Sequence, residues 1–296
     1  MRVLILGATG MLGHKLWQVC RERFDTWGTV RSTSRRFAHT GLFPPGCVLS
    51  GVDAFNFSSV IQALATVRPD VVINCIGVIK QIPAAKDPIT TLTVNSLFPH
   101  RLAALCQAAG ARLIHVSTDC VFSGRGGTYT EDDLPDAQDL YGRSKLLGEV
   151  NDAGCLTMRT SIIGRELSSS NGLVEWFLSN RGGHVRGYTN AIYTGFPTLT
   201  LAQVIADVLE RHPDLSGLYH VSSEPISKHD LLCLLRDAYQ LSVDIEPCPD
   251  VRIDRSLDSG RFRAVTGFVP LPWPDMVQAM AADPTPYEEW RLAHES

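Results

Sequence analysis

Short apolar runs alternate with amphipathic stretches along the first half of the chain. The apolar runs are nearly continuous, which is typical of strands buried on both faces of a parallel sheet, and the intervening stretches have helical spacing. This alternation predicts an α/β fold with a doubly wound parallel sheet. The predicted strands are Val3–Leu6, Thr26–Val30, Asp70–Cys75, Leu113–Val116 and Leu156–Arg159, and the predicted helices are 11–23, 58–67, 91–109 and 140–150.

The alternation of apolar and amphipathic stretches becomes less regular after Gly164, where glycine, serine and asparagine are frequent. Helices are still predicted over 199–211 and 228–239, with a short strand over 218–221 and a last helix beyond the prolines at 270–274. We therefore expect a cofactor-binding domain at residues 1–164 and a smaller substrate-binding region at 165–296. We also expect the chain to cross between the two.

Composition and charge argue against several classes of protein. The chain has 296 residues, 44% of them hydrophobic and 20% charged, and a formal net charge of −4. This net negative charge argues against nonspecific electrostatic binding to nucleic acid. No apolar run is long enough to cross a bilayer. The eight cysteines lack zinc spacing, so we expect no metal and a reducing, cytoplasmic location. A homodimer is a possible arrangement, but no segment of the sequence identifies its interface.

A glycine-rich turn follows the first predicted strand and leads into the first predicted helix. In this context the pattern is typical of a Rossmann-type dinucleotide site. One glycine makes the tight turn, another lets the backbone approach a pyrophosphate, and a third lets the helix pack on the strand, while the helix N-terminus faces the phosphates. The candidate cofactor contacts here are Gly7, Thr9, Gly10, Met11, Leu12 and Gly13.

The end of the second predicted strand bears on which dinucleotide would bind. An NAD site usually has an acidic residue there, whereas this chain has Arg31 and Ser32, followed by Arg35 and Arg36. Because a guanidinium suits a 2′-phosphate, the sequence favours NADP, used as NADPH. Further candidates along the same sheet edge are Asp53, which could equally serve as a turn residue, and Asn74, Cys75, Ile76 and Gly77.

Tyr141 and Lys145 are four residues apart on a predicted helix and follow a strand that ends in Ser117 and Thr118. Residues at this spacing share one helix face. A tyrosine can protonate the oxygen of a reduced carbonyl if a nearby ammonium brings its pKa down from about 10. Thr118 could polarise the carbonyl with its hydroxyl. We therefore predict Thr118, Tyr141 and Lys145 as catalytic, with Ser117, Tyr141 and Lys145 also near the cofactor.

Three segments, G-A-T-G-M-L-G, S-T-D-C-V-F-S-G and Y-G-R-S-K, resemble those of extended short-chain dehydrogenase/reductases, in particular of the dTDP-4-dehydrorhamnose reductases. The resemblance covers nearly the whole chain. It implies that Tyr141 is the proton donor, that Lys145 contacts the cofactor ribose and that Thr118 binds the carbonyl. It also implies that Asp119 touches the sugar and that Thr160 and Ser161 lie beside the nicotinamide.

The chain departs from that family at two places. Ile162 stands where the rhamnose enzymes commonly have a tryptophan, and Lys15 stands where some members have a metal-binding glutamate. Cys120 matches a cysteine in GDP-fucose synthase-like enzymes, where a thiolate could remove a proton beside the carbonyl, with His184 or Tyr193 as partner acid. The remaining candidate substrate contacts are Asn190 and Arg255.

The sequence thus predicts NADPH-dependent reduction of a nucleotide-linked 4-keto-6-deoxy sugar, for deoxysugar or cell-surface polysaccharide biosynthesis. Two alternatives remain open. One is a sugar-nucleotide epimerase or epimerase-reductase. The other is a non-catalytic NADP-binding subunit similar to the β subunit of methionine adenosyltransferase.

Overall fold

A computed structural model describes residues 1–32 and 40–295, with the backbone alone for 292–295, so Arg35 and Arg36 lie outside the described residues. The strands are β1 (Arg2–Leu6), β2 (Asp25–Val30), β3 (Val48–Ser50), β4 (Val71–Asn74), β5 (Arg112–Thr118), β6 (Cys155–Thr160), β7 (Ile162–Ile163), β8 (His184–Tyr188), β9 (Ala191–Tyr193), β10 (Phe196–Pro197), β11 (Gly217–His220), β12 (Ile226–Ser227), β13 (Asp244–Cys248) and β14 (Ile253–Asp254). The helices are α1 (Gly13–Cys20), α2 (Phe57–Val67), α3 (Pro88–Leu92), α4 (Phe98–Ala109), α5 (Leu140–Leu147), α6 (Leu173–Ser179), α7 (Thr198–Arg211), α8 (Lys228–Ala238), α9 (Gly260–Thr266), α10 (Trp273–Ala281) and α11 (Tyr287–Glu295).

Seven strands form one parallel sheet in the order β11-β6-β5-β4-β1-β2-β3. The order reverses between β1 and β4, and ligands of such sheets bind at the carboxyl ends of the strands beside that reversal. The predicted α/β, Rossmann-type doubly wound sheet is confirmed.

Alternate residues of β1 belong to different hydrophobic cores. Val3 and Ile5 pack in the core that contains α1 and α7, whereas Leu4 and Leu6 pack in the core that contains α2 and α4. The sheet is therefore covered on both faces, which explains why its strands are apolar throughout.

The predicted long helix over 91–109 is interrupted. A π-helical turn at Thr93–Leu97 separates α3 from α4. Pro99 has no N–H with which to continue the regular hydrogen-bond ladder, and the side chain of Asn95 bonds both the N–H and the carbonyl of Val78, at 2.8 and 3.0 Å. Such π-turns are frequent at functional sites.

The second half of the chain contributes to the main sheet and builds smaller ones. β11 pairs in parallel with β6 at the edge of the seven-stranded sheet, and α7 packs against α1. The smaller sheets are β12-β9-β14, β13-β8 and β10-β7. Within the described residues, no helix is long and apolar enough to cross a membrane.

Candidate active site

A cavity of about 400 Å³ lies at the carboxyl edge of the sheet, beside the reversal between β1 and β4. Its wall includes the glycine-rich turn after β1, the residues after β2, the residues after β4 and the loop before α6. The predicted cofactor contacts that line it are Gly7, Thr9, Gly10, Arg31, Ser32, Asp53, Cys75, Ile76 and Gly77. The structure thus brings together predicted residues from four separate segments, which follow β1, β2, β3 and β4.

The glycine-rich turn leaves no room for larger side chains. Gly7 has φ +80°, a conformation that favours glycine, and a Cβ on Gly13 would lie 2.1 Å from the Gly7 carbonyl oxygen. The close packing of α1 on this turn therefore depends on Gly13, and the start of the helix is held against the cavity. A small backbone cradle at a helix start suits the diphosphate of a dinucleotide.

The far end of the cavity carries the residues predicted to choose the cofactor. Arg31 and Ser32 are exposed at its rim, where a guanidinium could meet a 2′-phosphate. Asp53 also lines the cavity, but its carboxylate accepts a hydrogen bond from the Phe55 N–H at 2.9 Å. Asp53 therefore also has the turn-forming role that the sequence left open.

Other predicted cofactor residues turn their side chains into the protein. The Asn74 amide bonds His115 at 3.1 Å and the Ile76 N–H at 3.1 Å, and Leu12 packs in the core. The Ser117 hydroxyl donates to Glu149 at 2.7 Å. These side chains hold the sheet edge in shape rather than line the cavity. Met11 and Thr160 likewise do not line it; the end of the Met11 side chain lies close to Gly172.

Helix α5 is pressed closely onto the loop that follows β5. A Cβ on Gly142 would lie 2.3 Å from the Cys120 carbonyl oxygen, so only glycine permits this approach. Asp139 caps the helix by accepting the Gly142 N–H at 2.8 Å. As a result Tyr141, in the first turn of α5, meets the end of β5.

Tyr141 lies close to Thr118, Cys120 and Asp119. Burial, followed by the neighbouring Cys120, raises the pKa of Tyr141 above its ordinary value, and the Thr118 hydroxyl opposes that rise. Thr118 also donates to Asp119 at 3.2 Å and accepts the Cys120 N–H at 3.1 Å. Tyr141 therefore stays protonated near neutral pH, as a proton donor must. The sequence predicted that Lys145 lowers the pKa of Tyr141. Lys145 is not one of the groups that shift this pKa in the structure.

Lys145 lies deep beneath the sheet edge. Its ammonium donates to the Val116 carbonyl at 2.8 Å. Burial lowers the pKa of Lys145 to about 8, while the carboxylate of Glu149, just beyond the end of α5, works in the opposite direction. Glu149 in turn forms a buried two-bond ion pair with Arg159, at 2.8 and 2.9 Å. This network fixes the ends of β5 and β6 beneath Lys145.

Four distant segments bring side chains together beside Tyr141. We call this group, Asp119, Cys120, Tyr193, Lys228 and Arg255, the pocket that faces Tyr141. Asp119 is buried, and burial raises its pKa although Arg255 and Lys228 counteract the rise. Burial, and then Asp119, raises the pKa of Cys120 to about 12, so the thiol is protonated near neutral pH. Tyr193 is buried and lies near Asp119 and Cys120, and burial followed by the Asp119 charge raises its pKa.

Three other residues named from the sequence lie outside this group. Asn190 is exposed and its amide donates to the Pro249 carbonyl at 3.2 Å. His184 is an exposed residue of β8, where it pairs with Asp244 at 2.8 Å and Glu246 at 3.2 Å. The structure therefore does not support Asn190 as a pocket residue or His184 as an acid paired with Cys120. Ile162 pairs with Phe196 in the β10-β7 sheet.

Sequence reasoning missed Lys228, Glu149 and Asn95. Lys228 opens α8, where a cation is disfavoured by the helix dipole, and this unusual position was a signal available in the sequence. Glu149 follows Lys145 by four residues, a spacing that places both on one helix face. Asn95 links the Val78 backbone to the Ser144 hydroxyl of α5, at 3.2 Å, but no local pattern indicated it.

The fold and the site define a Rossmann-type protein with a Thr–Tyr–Lys group at the sheet edge. The model of the RmlD substrate binding domain family matches residues 1–284, so the chain belongs to that family. Among curated relatives, the β subunit of methionine adenosyltransferase 2 of Xenopus tropicalis is 29% identical, over 84% of this chain and 75% of the relative. A probable low-salt glycan biosynthesis reductase of Haloferax volcanii is 30% identical, over 76% of this chain and 75% of the relative.

Solved structures of similar fold include a hypothetical dTDP-4-dehydrorhamnose reductase from Sulfolobus tokodaii, with TM-score 0.75 and 26% identity, covering 92% of this chain and 98% of that one. The Bacillus anthracis dTDP-4-dehydrorhamnose reductase in complex with NADP has TM-score 0.77 and 22% identity, covering 94% and 98%. The predicted membership of the extended short-chain dehydrogenase/reductases, with resemblance to dTDP-4-dehydrorhamnose reductases, is confirmed.

Proposed function

We propose that this protein is an NADPH-dependent reductase of a nucleotide-linked 4-keto-6-deoxy sugar, acting in deoxysugar or cell-surface polysaccharide biosynthesis. The observation that carries the proposal is the position of Thr118, Tyr141 and Lys145. Tyr141 lies close to Thr118 at the end of β5, and the Lys145 ammonium bonds the Val116 carbonyl of the same strand. The carboxyl edge of this sheet also holds the glycine-rich turn. The named activities of the relatives in archaea and bacteria support the same class of reaction.

The chemistry of the chain's own residues follows from this arrangement. A bound nicotinamide dinucleotide supplies the hydride for the carbonyl carbon. Tyr141 then donates its hydroxyl proton to the carbonyl oxygen, and Thr118 orients that oxygen by a hydrogen bond. The long 3.2 Å bond from Thr118 to Asp119 can be exchanged for one to the substrate. Lys145, with its ammonium beneath the sheet edge, stabilises the phenolate left behind.

The residues at the cavity suit the cofactor. Gly7, Gly10 and Thr9 would hold the diphosphate on backbone and hydroxyl groups, and Arg31 with Ser32 would receive the 2′-phosphate of NADP. Lys145 would also reach the ribose beside the nicotinamide. The division into a cofactor-binding domain at 1–164 and a substrate-binding region at 165–296 is part of the proposal, and β11 is the segment that would cross between them.

The test is oxidation of NADPH over a panel of ketosugar nucleotides, with wild-type protein and Tyr141→Phe. We expect turnover by the wild type and a loss of about 10²–10⁴-fold in kcat for the variant, with NADPH affinity unchanged. Tyr188→Phe, on β8, is the matched control and should turn over like the wild type. Equal turnover by Tyr141→Phe and wild type would overturn the assignment of the proton donor.

A second candidate is a regulatory NADP-binding subunit. Its supporting observation is the 29% identity to the β subunit of methionine adenosyltransferase 2. The reductase and the subunit differ in what the same experiment returns. Tight NADPH binding without turnover on any ketosugar nucleotide, together with a stoichiometric co-purifying protein, would favour the subunit.

A further inference from the structure

Lys228 is the first residue of α8, a position that is electrostatically unfavourable for a cation. The N-terminus of a helix carries partial positive charge, so an ammonium there is disfavoured. Ser227 and Asp230 already cap this helix, with the Asp230 N–H donating to the Ser227 hydroxyl at 3.0 Å. Lys228 is therefore not needed for capping, and its position calls for another explanation.

The surroundings of Lys228 belong to the pocket that faces Tyr141. Its ammonium lies 4.2 Å from the centre of the Tyr193 ring, and β12, which precedes it, pairs Ile226 with Tyr193. Lys228 and Asp119 are close enough for their opposite charges to act on one another. Within the described part of the chain, Lys228 forms no ion pair with Asp119 or any other carboxylate.

A second polar group in the pocket also lacks a partner. Tyr193 is only 5% exposed, and its hydroxyl oxygen is buried without a hydrogen-bond partner among the described residues. Leaving a buried polar group unpaired destabilises the folded protein. Folding alone does not explain why an ammonium without an ion pair, a phenol without a hydrogen-bond partner and a buried carboxylate lie close together. Binding of a ligand that forms hydrogen bonds with them would explain it.

The position of Asp119 shows which part of the ligand this would be. Its carboxylate oxygen lies 3.2 Å from the Thr118 hydroxyl, the group assigned to the reacting carbonyl. A sugar that bonds the Thr118 hydroxyl through its carbonyl oxygen therefore brings the substituents of a neighbouring carbon closest to Asp119.

We propose that Asp119 and Lys228 together hold a hydroxyl group on the sugar carbon beside the carbonyl, which makes Lys228 a specificity-determining residue. The hydroxyl donates to the Asp119 carboxylate and accepts from the Lys228 ammonium. The opposite charges of the two residues favour a neutral group that both donates and accepts. A carboxylate at this place would be repelled by Asp119.

This proposal rests on the proposed reductase function and names the substrate feature that it selects. The kinetic test compares wild type with Lys228→Met, which keeps the apolar stem over Tyr193 and removes the charge. The two substrates are dTDP-4-keto-6-deoxyglucose, with a hydroxyl on carbon 3, and its 3-deoxy counterpart. We expect KM for the first to rise about tenfold or more, equivalent to 1.4 kcal/mol, and KM for the second to stay within about twofold.

The matched control is Arg236→Met, which removes a cation from the last turn of the same helix and should behave as wild type. Thermal unfolding establishes that Lys228→Met is folded. An equal change on both substrates, no change on either, or a preference of the wild type for a sugar with a carboxylate in place of the hydroxyl would each overturn the proposal.

A binding experiment separates failure of this proposal from failure of the reductase function. Calorimetric titration with dTDP-6-deoxyglucose and its 3-deoxy counterpart needs no turnover. Wild type should prefer the hydroxylated compound, and Lys228→Met should lose that preference. If the preference is present but no ketosugar is reduced, the reductase function is wrong and the contact stands. If wild type binds both compounds equally, or neither, the contact is wrong.

Discussion

The cavity at the sheet edge and the pocket that faces Tyr141 differ in the kinds of residue that form them and in where those residues lie in the sequence. The cavity wall consists mainly of segments that directly follow four neighbouring strands, β4, β1, β2 and β3, and includes the glycine-rich turn. The pocket instead contains Asp119, Tyr193, Lys228 and Arg255, which are charged or aromatic and come from distant parts of the chain. One region offers a shape that many proteins could share, and the other offers a particular set of charges.

This difference separates two kinds of requirement. A dinucleotide is the same in every enzyme that uses it, so its site can be a fixed local turn beside a reversal in the sheet. A sugar substrate varies, and its site must be assembled from residues that can change independently. We therefore expect substitutions at the sheet edge to affect stability and cofactor binding, and substitutions in the pocket to affect the choice of substrate.

The largest effect is expected for Glu149→Gln, beneath the sheet edge. This change leaves the buried Arg159 guanidinium without its carboxylate, at a cost of about 3–5 kcal/mol. Urea unfolding measures the loss in free energy of unfolding. Glu224→Gln removes the carboxylate of a more exposed pair with Arg263 and should change stability little. Similar losses for the two variants would show that the buried network does not support the sheet edge.

Gly13→Ala tests the turn itself. Because the new Cβ would lie 2.1 Å from the Gly7 carbonyl oxygen, the turn and α1 must separate, which costs about 1–3 kcal/mol. We expect lower thermal stability and weaker NADPH binding in a fluorescence titration. Gly126→Ala, whose Cβ would meet only the Tyr129 side chain at 3.4 Å, is the control. Unchanged NADPH affinity in Gly13→Ala would mean that the cofactor does not use this turn.

The features that depend on residues close together in the sequence were predictable, and the features that depend on residues brought together by folding were not. The parallel sheet followed from the apolar runs, and Gly7, Tyr141 and Lys145 followed from patterns of adjacent residues. Lys228 is 87 residues from Tyr141 in the numbering, and no periodicity links them. The π-turn at Asn95 was missed for the same reason, since it depends on a side-chain bond to Val78 across the sheet edge. Asn190 stays a prediction that the structure does not bring together with the pocket residues, since composition alone does not show which way an exposed turn faces.

Arg31→Ala tests the choice of dinucleotide. A charge-assisted hydrogen bond to a phosphate contributes about 1.5–3 kcal/mol, so NADPH affinity should fall about tenfold or more while NADH affinity stays unchanged. Titration of both dinucleotides measures the preference. Arg211→Ala, at the C-terminal end of α7, should leave both affinities as in the wild type. An equal loss for NADPH and NADH would assign Arg31 to a part of the cofactor common to both.

The pH dependence tests Lys145. Its pKa is lowered to about 8, so the ammonium is present below that pH and is lost as the pH rises through it. The pKa of Tyr141 is raised, so the proton donor stays protonated over the same range. We expect kcat/KM to fall above pH 8, and the fall to move to higher pH in Lys145→Arg. NADPH affinity measured over the same pH range gives a second readout. A fall at the same pH in Lys145→Arg would assign it to another group.

The smallest effect is expected for Cys120→Ser, although this residue lies in the pocket itself. The pKa of the thiol is raised to about 12 by burial and by Asp119, so almost no thiolate exists near neutral pH to remove a proton beside the carbonyl. Reduction should change by less than about tenfold, or 1.4 kcal/mol. In deuterated water the wild type should place no deuterium on the carbon next to the carbonyl. Exchange that is present in wild type and lost in Cys120→Ser would make the protein an epimerase-reductase. The pocket would then hold a base in addition to the contacts that select the sugar.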